Sequence, residues 1–172
     1  MRVQLIVATA ACAAAAVLMA PVSQADPAGE TTPGSAPLTA FDVADPAIGG
    51  LDPTLLAAVQ NATSAAAADG VTVTVTSGWR SPEFQQQLLD EAIVTYGSYQ
   101  AARRYVQTPE QSRHVVGAAV DIGGPGADQW MIANGPRFGL CQIYANETWH
   151  FELSTDLFGA CPALLPDAAG AH

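Results

Sequence analysis

In SRHVVGAAVDIG, residues 112–123, a histidine, His114, precedes an aspartate, Asp121, by seven residues, with the small residues Gly117, Ala118 and Ala119 between them. Further along, ETWH, residues 147–150, places Glu147 three residues before His150. Two imidazoles and one carboxylate are ligand types that suit zinc in a catalytic site, where a fourth position stays open for water. His114, Asp121 and His150 supply that set. The remaining histidine, His172, ends the chain and is a poor candidate. Zinc held with one aspartate keeps a local charge of about +1 and lowers the pKa of a bound water toward about 7.

Such a site needs a base. Glu147 is close enough in sequence to His150 to face the same water, but residues i and i+3 of a regular strand point to opposite faces. Glu147 must therefore lie in a turn, after Ala145-Asn146, with the strand beginning at about Trp149. Arg80, in SGWRS at residues 77–81, follows a strand end and a glycine and is able to project into a cleft, where it would bind a carboxylate or an oxyanion. Each residue also has an ordinary structural reading. A histidine taken alone is more often structural than ligating, Asp121 would cap the turn at Gly123-Gly124, Glu147 would be solvated, and Arg80 would pair with any nearby acid. Order and spacing, taken together, favour the chemistry.

These residues need a scaffold. Asp52-Pro53 opens a helix with Leu55, Val59, Ala62 and Ala66 on one face, ended by Gly70. VTVTVTS, residues 71–77, alternates strictly and predicts a strand. Ser81-Pro82 opens a second helix, to Tyr96, with Phe84, Leu88 and Ile93 helping to form its buried side. A shorter helix runs from Ser98 to about Val106, a strand covers Val116–Ile122, and a short helix lies around Trp130 within 127–134. Leu140–Tyr144 and Trp149–Leu153 read as a closing pair of strands. The fold class is α+β: a small, mostly antiparallel sheet with flanking helices.

The chain of 172 residues carries 16 acids against 6 basic residues, all arginine, for a net charge of −10. That balance excludes nucleic acid and anionic lipid as partners held by charge. Residues 1–25 read as a secretory signal: Arg2, an apolar run from Leu5 to Ala20, then Pro21 and the small residues Ser23 and Ala25 at a cleavage site. A retained anchor is the alternative, though the run falls short of the ~20 residues of a bilayer crossing. A secreted, extracytoplasmic protein with no membrane attachment after cleavage is expected. Of the three cysteines, Cys12 leaves with the signal; Cys141 and Cys161 remain as a pair that an oxidising compartment would join, with metal ligation as the rival use. Residues 26–40 and 162–172 are rich in small residues and proline and read as a flexible leader and tail, so the folded domain is expected over 41–161, as a monomer.

SGWRSPEFQ (77–85), SRHVVGAAVD (112–121) and ETWH (147–150) together resemble the signature of the VanY-type D-alanyl-D-alanine carboxypeptidases: Ser-Gly-Tyr-Arg-Ser and a glutamine, then Ser-x-His-x-x-Gly-x-Ala-x-Asp, then Glu-x-x-His. The resemblance spans residues 52 to 154. It implies zinc on His114, Asp121 and His150, Glu147 as catalytic base, Arg80 near the oxyanion, and Ser112 and Gln85 lining the substrate site. It also implies the small α+β fold shared with the hedgehog signalling domain. The implied substrate is the peptidoglycan stem peptide, cut before its terminal D-alanine. Trp79 replaces the usual tyrosine, Glu110 a common glycine and Thr148 a frequent proline; none of these removes a ligand.

Overall fold

The computed structural model describes residues 37–170. The signal segment, Cys12, the first part of the leader and His172 lie outside the described residues. Two aspartates start the first helices. Asp45 accepts the Ala47 N–H at the head of α1 (Pro46–Gly49), and Asp52 accepts from Thr54 and Leu55 at the head of α2 (Pro53–Ala68). Proline follows each cap, where its missing N–H costs nothing because that donor has no helical partner. α2 buries Leu55, Val59, Ala62 and Ala66, the face the spacing predicts, together with Ala58 and Thr63.

The alternating segment forms β1 (Thr74–Ser77); it is shorter than 71–77, although Val73 and Val75 are both buried as the alternation requires. Ser81 caps α3 (Pro82–Tyr96) by accepting from the Phe84 N–H, and Gly97 ends it at φ 78°. The buried face of α3 is Gln85, Leu88, Leu89 and Ala92, while Phe84 and Ile93 are only half-buried. Sequence hydrophobicity missed this rotation because the inward stripe begins with an amide. α4 (Tyr99–Ala102) is a single turn and stops short of Val106. β2 (Ala119–Gly123) begins after the 116–118 segment, and α5 (Ala127–Asn134), a 3-10 turn at Gly135–Phe138, β3 (Leu140–Gln142) and β4 (His150–Leu153) follow.

The four strands form one sheet in the order β1-β2-β4-β3, every pair antiparallel. Side chains alternate across it. Val120, Ile122 and Phe151 point into the main core with α2, Trp130 and Met131. Asp121, its partner His150, and Ala119 with its partner Glu152 occupy the other face. That second face lines a cleft whose other wall includes α3, where Leu89, Ala92 and Ala102 form a smaller cluster.

The ordered unit extends past 41–161 at both ends. Val75 donates its N–H to Leu38 O at 2.8 Å and Ala40 is buried in the core, while Leu165 bridges Tyr144 in parallel and Ala168 is buried. Single apolar anchors set in Pro- and Ala-rich sequence dock both segments, a feature that average composition conceals. Cys141 of β3 and Cys161 form a disulfide with Cα atoms 5.6 Å apart, bringing the final segment back along the sheet. No helix among the described residues is long and apolar enough to cross a membrane.

Candidate active site

Sheet register assembles the site. Ser77, Asp121 and His150 are aligned in one row across β1, β2 and β4. A register shift between Val75 and Ser77 brings Ser77 into that row, since an irregularity of this kind re-aims a side chain. His114 comes from the turns before β2. Two glycines allow that approach. A Cβ at Gly78 would lie 2.0 Å from Ala47 O, and one at Gly117, where φ is 69°, would lie 2.4 Å from Gly50 O. Gly78 O is in turn the partner of His114 Nδ1, at 2.7 Å.

Three donor atoms converge. His114 Nε2 is 3.3 Å from His150 Nδ1 and 3.4 Å from an Asp121 oxygen, and His150 Nδ1 is 3.1 Å from the other Asp121 oxygen. Tetrahedral ligands at about 2.0–2.1 Å from a zinc ion are separated by about 3.3 Å, close to the spacing of the two imidazole nitrogens, and one atom from each of the three residues lies within 4.8 Å of the others. The three residues are buried and are the His/Asp cluster able to hold a metal among the described residues. The outer nitrogens are engaged in ways that leave the inner ones aimed at the centre: Nδ1 of His114 on Gly78 O, and Nε2 of His150 on Glu152 Oε1 at 3.0 Å.

Charge is arranged to match. For Asp121, burial opposes ionisation, but the neighbouring imidazoles outweigh it and hold the carboxyl well below the usual carboxylate range. Burial pushes His114 down, Asp121 only partly offsetting it. Burial also acts against a charged His150, yet hydrogen bonds to Asp121 and Glu152 push it up to about 9. Without a metal these hydrogen bonds favour a proton on His150, held between the Asp121 and Glu152 carboxylates.

Glu147 lines the same cleft. β4 starts at His150, one residue later than Trp149, and Glu147 sits among the preceding turns, with Tyr144 O accepting its N–H and its own carbonyl accepting from His150 N. Its side chain is buried and lines the cleft beside His114, Asp121 and His150. Arg80 is held on three sides: Nε donates to Ser77 Oγ at 2.8 Å, one terminal nitrogen to Gln85 Oε1 at 3.1 Å and the other to Asp121 at 3.0 Å. Gln85 is 1 % exposed and both ends of its amide are used, the oxygen by Arg80 and Ser112 and the nitrogen by Gln107 O. Gln85 and Ser112 thus border the cleft chiefly as the support of Arg80. Trp79 donates its indole N–H to Val115 O, 3.1 Å away, which ties the Arg80 strand end to the His114 turn.

Two residues join the site that the motifs did not single out. Glu152 supports His150 and is itself paired with Arg113 Nε at 3.1 Å. Tyr144 sets its ring 5.0 Å from the His150 ring at a 42° tilt, and its hydroxyl, which accepts from Gln107, is pushed up to about 12 by burial and by the nearby Glu152 and Glu147. Glu152 was legible in principle: two residues beyond His150 in a strand, it must share His150's face.

An antiparallel sheet carrying a buried His-Asp-His donor set in a cleft that a carboxylate and an arginine also line defines a metallopeptidase class of domain. The chain belongs to the VanY family of D-alanyl-D-alanine carboxypeptidases, whose model matches residues 49–155. A D-alanyl-D-alanine carboxypeptidase of Enterococcus faecalis is 35% identical over 54% of this chain and 44% of its own length, so the chain spans less than half of that relative. Among solved structures, the vancomycin-resistance D,D-pentapeptidase VanY of the VanB-type cassette, a point mutant in complex with Zn(II), is 31% identical with a TM-score of 0.56, over 59% of this chain and 71% of that one. VanYB in complex with D-alanine-D-alanine is 30% identical, with a TM-score of 0.56, over 59% of this chain and 70% of that one.

Proposed function

We propose that this protein is a zinc-dependent D-alanyl-D-alanine carboxypeptidase that acts outside the cytoplasm and removes the terminal D-alanine of peptidoglycan stem peptides. The observation that carries the reading is the convergence of His114 Nε2, His150 Nδ1 and the Asp121 carboxylate, one ligand atom from each within 4.8 Å of the others, in the cleft that Glu147 also lines. The relatives bound to Zn(II) and to D-alanine-D-alanine support both the metal and the substrate.

His114, Asp121 and His150 would hold the ion, which supplies Lewis acidity and an acidified water when bound. Glu147 takes the proton from the attacking water as its oxygen bonds to the amide carbon. It returns a proton to the departing nitrogen as the C–N bond breaks, so one carboxylate serves as base and then acid. Arg80, fixed by Ser77, Gln85 and Asp121, presents a preorganised positive charge to the carbonyl oxygen as that oxygen becomes negative. Preorganisation is the point of its three hydrogen bonds: nothing has to reorient during the reaction.

The test is incubation of zinc-loaded protein with a pentapeptide ending in D-Ala-D-Ala, with products read by mass. Loss of one alanine is expected. A cut further inside the stem would make the protein an endopeptidase on the same scaffold, and no cleavage with zinc bound would make it a binding module. Glu147→Gln should retain zinc and lose turnover by about 10²–10⁴-fold; an unimpaired mutant would remove the base assignment.

A further inference from the structure

We infer that residues 156–170 form a strap that positions the turn bearing Glu147, with the Cys141–Cys161 disulfide as its latch, so that opening the bond lowers turnover while the metal centre keeps its ligands. The effect on turnover rests on the carboxypeptidase reading. The strap lies beyond residue 155, where the family match ends.

The strap is bonded to the connection between β3 and β4, on the side that leads into Glu147. Leu165 donates its N–H to Ile143 O at 2.9 Å, and Leu165 O accepts from Ala145 N at 2.8 Å, so the backbone is gripped on either side of Tyr144. Tyr144 O in turn accepts the Glu147 N–H. Further along, Asp167 pairs with Arg104 Nε at 2.7 Å, and Arg104 O accepts from both Ala168 N and the Asn146 side-chain amide. Gln107 Nε2 is shared between the Tyr144 hydroxyl and Ala168 O, at 3.2 and 3.3 Å. Residues 143–146 are therefore anchored to the strap or to groups that the strap holds, and Glu147 follows directly. The metal ligands are supported differently. His114 and His150 lean on Gly78 O and Glu152, and Asp121 on Arg80, none of which lies in the strap.

Packing alone does not hold the strap. Leu157 and Phe158 are 100% and 95% exposed, and Ala168 is the one buried residue between 156 and 170. An open cavity of about 370 Å3 is lined by Pro162, Ala163 and Leu165 of the strap and by Tyr144, Arg113 and Glu152 of the domain. Backbone hydrogen bonds and an exposed ion pair return little net stability, and ordering a residue costs about as much as one such bond returns. The covalent tie to Cys141, buried in β3, makes up the difference by limiting how far the freed chain can move. Cys161 is exposed, so a thiolate can reach it. A dithiol donor attacks Cys161 Sγ, the S–S bond breaks, and Cys141 leaves as the thiolate. The donor's second thiol then closes on the mixed disulfide and frees Cys161. The donor is oxidised to its own disulfide, and two electrons and two protons end on the cysteine thiols.

The test compares the zinc-loaded full chain as oxidised wild type, as Cys161→Ser, and as wild type reduced with dithiothreitol and then desalted. Backbone hydrogen exchange, read by mass, should quicken about tenfold or more at Ala145 and Leu165 once the latch is open, and stay unchanged at Val120 and Ile122 of β2. On the pentapeptide ending in D-Ala-D-Ala, kcat should fall about tenfold to a hundredfold with KM and zinc content unchanged, and return when the reduced wild type is reoxidised. Unchanged exchange at Ala145 and Leu165 would overturn the strap. Full turnover despite faster exchange would overturn its hold on Glu147, and so would loss of zinc alongside turnover, since the latch would then act on the ligands. If Cys161→Ser does not fold, the reduced wild type carries the same comparison. No hydrolysis by the oxidised protein would sink the carboxypeptidase reading alone, and the exchange measurement would still decide the strap.

Discussion

Each ligating side chain in this protein is held by a second group, and the support is unequal. His114 leans on a backbone carbonyl, Gly78 O, which no side-chain substitution removes. His150 leans on Glu152, whose other oxygen is tied to Arg113. The carboxylate fixes which imidazole nitrogen carries the proton and raises the basicity of the inner one. Substituting Glu152→Gln keeps a hydrogen-bonding partner of the same size but removes the charge. Zinc affinity should fall by about 10–100-fold, as is usual for the loss of an outer partner to a ligating histidine. Competition against a fluorescent chelator measures it directly. An affinity equal to wild type would show that Glu152 only fills space next to His150. Arg113→Ala should have a smaller effect in the same direction, because half of that side chain is exposed and the pair is screened by solvent.

The elements that present these residues were legible to different degrees. Helix starts were clear because Asp52-Pro53 and Ser81-Pro82 combine a cap with a residue that tolerates the first turn. The α2 face followed from periodicity, and the extent of α3 from Ser81-Pro82 and Gly97. The strand before Asp121 was read too long: Gly117 adopts a positive φ, and Val116, on the turn side, is exposed. The β1 irregularity that aligns Ser77 with Asp121, and the docking of Leu38 and Leu165, depend on residues distant in sequence and have no local signature. Ligand residues were readable because metal chemistry restricts their types, whereas Glu152 and Tyr144 are ordinary residues whose roles exist only through neighbours. Gly117 offers a test at this scale. Its carbonyl accepts the Asp52 N–H at 2.8 Å, joining the His114 turn to the head of α2, and an added Cβ would meet Gly50 O at 2.4 Å. Gly117→Ala should destabilise the protein by about 1–3 kcal/mol from backbone strain alone, read by urea denaturation with metal removed. A change under about 0.5 kcal/mol would mean that the turn accommodates a side chain and that its glycine is not a constraint.

For the whole molecule, the stored proton links stability to pH, and the sign depends on the metal. In metal-free protein, His150 titrates at about 9 when folded, above the ordinary histidine value of about 6.5. The folded state then holds a proton that the unfolded chain releases. This contribution is fully present below about pH 6.5 and is lost as pH rises through about 9, amounting to at most about 3 kcal/mol. His114 is shifted the other way, so acidification below about 6.5 favours the unfolded chain, which accepts a proton that the buried ring refuses. Asp121, held below its ordinary value, adds stability above about pH 4 that is lost as pH falls further. Metal-free protein should therefore be most stable near pH 6.5 and weaken on both sides. Bound zinc requires both inner nitrogens unprotonated, so its presence removes the stored proton and the alkaline decline with it. Between pH 6.5 and 8.5 the urea midpoint should fall in chelator and stay level or rise in zinc. Two parallel pH profiles would show that the cation does not take the place of the His150 proton, and the donor set would lose its assignment as a metal centre even with its geometry intact.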